Sequence, residues 1–205
     1  FKIYMKKFLS KLIGLNVLPI KCLYFFVKMQ IFSFYFFRGP FCLSRFQISK
    51  ADWGKITGTL LSLTFFSNMF IAYINDKYKK PKTVLFILLI GATVSFECLY
   101  FLLPEQKILF WITLSFYLLF ETGVTPLLDH HCIQYLQYTP GTSTASYGRQ
   151  RLWGAVAYAL TNYITEILCK KPNGEFDFTP LRLTVPLLTI PGLIVIMLVV
   201  RDYSD

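Results

Sequence analysis

Six stretches of this 205-residue chain stay mostly apolar, five for about twenty residues and the fourth for longer, and that run length fixes what the chain can fold into. Twenty helical residues at roughly 1.5 Å of rise cover the ~30 Å hydrocarbon core of a bilayer. The runs fall at 19–37, 53–73, 83–103, 108–136, 151–168 and 181–200. With 55% hydrophobic and only 16% charged residues, a chain this short would expose too much apolar surface in water. Segments of alternating polarity at strand length are absent, which argues against a membrane barrel. The expected fold class is therefore an all-α membrane protein, a bundle of six transmembrane helices. Pro126 falls inside the fourth run and Pro186 and Pro191 inside the sixth, positions tolerable where neighbouring groups recapture the freed carbonyls.

The connections are short and polar, which makes successive helices antiparallel neighbours. Residues 1–18 read as a basic segment carrying Lys2, Lys6, Lys7 and Lys11, and 201–205 as the start of a linker. Lysine and arginine lean weakly toward the side of the N-terminus, so that end is expected in the cytoplasm. Arg38 and Arg45 fall in the connection on the opposite side. The net charge of +10 is spread over these loops rather than gathered in a groove. The lipid bilayer is thus the expected partner of this charge, and nucleic acid is not. The five cysteines stand singly, without zinc or redox spacing, so neither a metal nor another cofactor is expected. Asp129-His130-His131-Cys132 spells the tetrad of protein S-acyltransferases. That chemistry needs a cysteine-rich zinc-bound loop, whereas here the tetrad continues an apolar helix, and no enzymatic activity is expected.

Ionisable residues at membrane depth need a partner or water, and by default they mark a path or a binding site. Glu121, Thr125 and Asp129 are spaced four apart and share one stripe of the fourth helix. Lys28 lies mid-span in the first helix; Glu121 is its first expected partner and Glu97 its second, as a pair lining a path or as glue between helices. The fifth helix opens on Tyr147-Gly148-Arg149-Gln150-Arg151. Arg149 and Arg151 differ by about 200° around the helix, so only one can face inward. Arg151 shares its face with Ala155 and Tyr158, opposite Asp129. An arginine, a small residue and an aromatic platform facing a carboxylate can hold a polyhydroxylated ligand. The same residues also suit a structural salt bridge beside a packed tyrosine. Gly58, Gly91 and Gly154 are expected to let helices approach closely.

Two segments carry a family resemblance. Ala72 to Lys82, with Asp76 ahead of a basic run, resembles the loop between the second and third helices of the major facilitator superfamily. Tyr147 to Tyr158, together with Pro126-Leu127-Leu128-Asp129, resembles the fifth and fourth helices of its lactose-permease-like branch. That branch includes proteins related to major facilitator superfamily domain-containing protein 6. The resemblance implies the N-terminal six-helix half of a secondary carrier, a symporter for a small polar organic solute such as a sugar, with proton coupling one option. It implies that Asp129 and Arg151 bind the solute, that Tyr158 stacks on it where the branch uses a tryptophan, and that Asp76 locks a cytoplasmic helix end. It further implies a second six-helix half, or a second copy, as partner. The alternative is a truncated membrane protein or gene fragment that interacts without transporting.

Overall fold

The computed structural model describes residues 15–201, which are predominantly helical, with no named strand among the described residues. Residues 1–14 and 202–205, holding most of the basic segment and the linker start, lie outside the described residues. The helices are α1 (Leu18–Tyr35), α2 (Arg38–Phe46), α3 (Lys50–Tyr78), α4 (Pro81–Phe101), α5 (Lys107–Tyr138), α6 (Tyr147–Cys169) and α7 (Leu181–Val199). Among the described residues, five candidates can cross a membrane by length and composition: α1 with α2, then α3, α4, α5 and α7. The 23 residues of α6 reach about 35 Å, enough to cross, though α6 is not among these five.

α2 was not legible as a helix. After a two-residue turn at Phe36–Phe37 the chain resumes helical geometry and buries Phe41, Cys42 and Phe46. Gly39-Pro40 reads as a turn, yet proline is equally at home in the first turn of a helix, where its missing N–H is not needed. Arg45 is drawn in by the end of α4. Its Nη2 donates to the carbonyls of Tyr100 at 2.6 Å and Leu102 at 3.3 Å, and its guanidinium lies over the Tyr100 ring at 5.2 Å. Carbonyls at a helix C-terminus have no partner inside the helix, so a half-buried arginine is a fitting cap.

α1 is the axis of the bundle. α6 and α7 run along its two sides, and α5 meets it across the interior. α4 joins α5 to α7, while α3 leans mainly on α5, with a smaller contact to α2. The face that α6 turns inward is Gln150, Gly154, Ala157, Thr161, Thr165 and Cys169, and small residues at this spacing let two backbones close in. A Cβ at Gly154 would stand 3.3 Å from Cγ of Lys28. On the other side of α1, Gln30 Nε2 donates to Thr93 Oγ1 at 3.0 Å, and Thr93 meets Thr189 Oγ1 at 2.7 Å, tying α1, α4 and α7 through a buried polar chain. The hairpin leading into α7 is fastened by Asp177, which accepts from the Thr179 hydroxyl at 2.6 Å and backbone at 3.0 Å. Those hydrogen bonds, with Lys171 nearby, hold its carboxyl below the usual range.

The three glycines expected at close contacts divide. Gly91 sits against the ring of Phe120, where a Cβ would come within 2.8 Å, and Gly154 against α1. Gly58 instead faces open space on the exposed side of α3. The tight crossing that sequence reading did not single out is Gly123 on α5, filled by Ile71 of α3. Gly91→Val should therefore lower stability by about 1–3 kcal/mol through overpacking. Gly58→Val should leave the thermal midpoint in detergent within a degree or two, about the effect of a surface change.

Candidate functional site

Antiparallel α1 and α5 present polar side chains in matching steps of four. On α1 they are Tyr24 and Lys28; on α5, Asp129 and Thr125. The Tyr24 hydroxyl donates to Asp129 Oδ1 at 2.6 Å, and one step on, the Lys28 ammonium donates to Thr125 Oγ1. Lys28 Nζ also lies 5.4 Å from the centre of the Phe32 ring. The next α5 step is Glu121, and here the expected pairing is corrected. Glu121 pairs with Arg38 rather than Lys28, with Nη1 to Oε2 at 3.4 Å and the two side chains 13% and 8% exposed. Lys28 is already engaged one turn lower, whereas Arg38 opens α2, and its long side chain reaches back over the Tyr35 ring at 5.3 Å. Glu97, the second partner considered, opens on a separate cavity beside Phe101, Leu109 and Pro186.

A cavity of about 460 Å³ opens between α1, α5 and α6. Arg151, Ala155 and Tyr158 line it as one stripe of α6, opposite Tyr24, Lys28 and Thr125. Arg149 is exposed and does not line it. Arg151 Nη2 stands 4.0 Å from Asp129 Oδ2, with the arginine side chain 58% and the aspartate 23% exposed. So long and open a pair is worth roughly 0–1 kcal/mol, too little for a brace. Asp129 is held by Tyr24 instead. Tyr158 meets Phe32 edge to face, with centroids 4.9 Å apart, and both rings border the cavity.

Asp76 lies exposed in the last turn of α3 and, among the described residues, makes no ion pair or hydrogen bond. A carboxylate there opposes the helix dipole, and Lys77 in the same turn offsets it. Cys132 is fully buried in the core of α5. The residues that sequence reading missed are Tyr24 and Arg38. Tyr24 stands four before Lys28, a spacing that could have placed it on the same face; Arg38 falls in a connection by run length, just past the first apolar run.

The model of the MFS_1 like family matches residues 17–203, from just before α1 to beyond α7. The chain belongs to the MFS_1-like family. As an MFS_1-like protein it is a multi-pass membrane protein of a family associated with membrane transport. Neither a curated protein nor a solved structure matches it. The matched stretch takes in every helix that lines the cavity, so the site belongs to the MFS_1-like part of the chain.

Arg38→Met should strand the Glu121 carboxylate in the bundle and destabilise it by about 3–5 kcal/mol. Adding Glu121→Gln should restore most of that loss. A double-mutant cycle of unfolding in detergent measures the coupling, and additive effects would show that the two side chains act independently.

Proposed function

We propose that this half-bundle carries a small polar organic solute, a sugar or related compound, in symport with an ion such as the proton. Asp129 and Arg151 grip its hydroxyls, Ala155 leaves room for it, and Tyr158 stacks on its ring. The observation that carries this reading is the loose Arg151–Asp129 pair beside an open cavity of about 460 Å³, since a structural bridge has no need of such space. A second six-helix bundle, in the same polypeptide or from a second copy, faces the cavity, and transport is a rocking of one bundle against the other. Lys28 lines the path, and the buried Arg38–Glu121 pair bounds it. The N-terminus lies in the cytoplasm, where Asp76 and its basic loop favour one of the two rocking states. The branch is the lactose-permease-like one, on the strength of the α5 and α6 motifs.

Binding is testable by thermal shift on the purified chain with panels of sugars, nucleosides and aromatic acids. A stabilising compound from such a panel should lose its effect in Arg151→Lys, because an ammonium cannot reproduce the two-pronged guanidinium contact. The unliganded midpoint should move little, given how weak the 4.0 Å pair is. An undiminished ligand-induced shift in Arg151→Lys would remove Arg151 from the site.

A further inference from the structure

The charges around the cavity do not balance. Two cations, Lys28 and Arg151, line it, and Asp129 is the one carboxylate beside them. Asp129 is also the better satisfied partner: one oxygen accepts from Tyr24 at 2.6 Å, and the other faces Arg151 at 4.0 Å. Glu121, the other acid on this stripe, is engaged by Arg38. In direct contact Lys28 has a threonine hydroxyl and the face of Phe32, both neutral, while Asp129 and Glu121 act on it only through space, each already engaged elsewhere. Yet the residue is only 8% exposed. An ammonium has three N–H donors, and the Thr125 bond uses one. A buried cation with spare N–H donors and no carboxylate in contact is under-satisfied, and a negatively charged guest relieves it.

The placement narrows the guest further. The Lys28 stem packs against Gly154, which is one turn beyond Arg151 and one turn before Tyr158 on α6. The ammonium therefore stands between the guanidinium and the Phe32–Tyr158 aromatic pair. We propose that the cavity selects a monoanionic solute of the sugar-acid class, a hydroxylated ring bearing one carboxylate, with the carboxylate seated on Lys28. This rests on the solute-carrier reading above and assigns its substrate a charge. A single carboxylate offsets the one excess positive charge and offers two acceptors to the two remaining N–H donors. The ring's hydroxyls face Arg151 and Asp129, and its apolar face lies toward Tyr158. A neutral glycoside would leave the lysine as it stands.

Two probes that differ in one group decide the matter: 4-nitrophenyl β-D-glucuronide and 4-nitrophenyl β-D-glucoside, titrated calorimetrically into the full chain in lipid nanodiscs. The glucuronide should bind at least tenfold more tightly. Lys28→Met, which keeps the packing stem and removes the charge, should bring the two affinities within about twofold. Lys28→Arg should keep the preference, so a folded, charge-retaining variant accompanies the neutral one. Equal binding of both probes to the unaltered chain overturns the charge preference while leaving the solute site intact. A preference that survives Lys28→Met overturns the seat on Lys28. Binding of neither probe overturns the proposal together with the sugar-site reading on which it rests.

Discussion

The contact between α1 and α5 bears the polar load of the bundle, because the bilayer interior offers no water to take it. Tyr24 and Lys28 come from α1 and Arg38 from the start of α2, and Asp129, Thr125 and Glu121 meet them from α5. Each side chain alone would be expensive at that depth; Tyr24 with Asp129 and Arg38 with Glu121 satisfy one another without solvent, while Lys28 keeps donor capacity beyond its bond to Thr125. The remaining helices can be apolar outward and small inward because this seam has absorbed the groups that need partners. α6 then closes on α1 through glycine, alanine and threonine, and α7 through the Gln30–Thr93–Thr189 chain.

Within that seam, tight and loose contacts divide the labour. The 2.6 Å bond from Tyr24 and the buried Arg38–Glu121 pair hold helices in register. The 4.0 Å approach of Arg151 and the ring-flanked ammonium of Lys28 border the open space. A site that must take up a solute and give it back needs this second kind of contact, since a fully satisfied group has nothing to exchange. The same chemistry, a cation beside a carboxylate, is a close buried contact at Arg38–Glu121 and a long open one at Arg151–Asp129.

Apolar run length carried most of the fold, because a bilayer permits few alternatives to helices of about this size. The stripe of Arg151, Ala155 and Tyr158 was also legible, since helical periodicity alone puts those residues on one face. What periodicity cannot supply is the register between helices. The choice between Glu121 and Thr125 as neighbour of Lys28 depends on how far α1 slides along α5, and Glu121 turned out to be one turn too far. Arg38 falls in a connection by run length, because the first apolar run ends at residue 37, and burial of Phe41, Cys42 and Phe46 makes that segment a helix. Gly58 misled for the opposite reason: a small residue marks a close approach only where a neighbour comes to fill the gap.

α3 shows what it means to have few neighbours. Phe65, Phe66, Met69, Phe70 and Tyr73 all face away from the bundle, and among its described residues only Thr64, Ile71 and Asn75 are buried. Its vocabulary is therefore loose, since any greasy side chain facing lipid serves about as well as another. α1 has the opposite grammar, with four helices reading it at once and scarcely a position free to drift. Across a set of randomised libraries, substitutions would accumulate on α3 as synonyms and be struck out of α1 as errors.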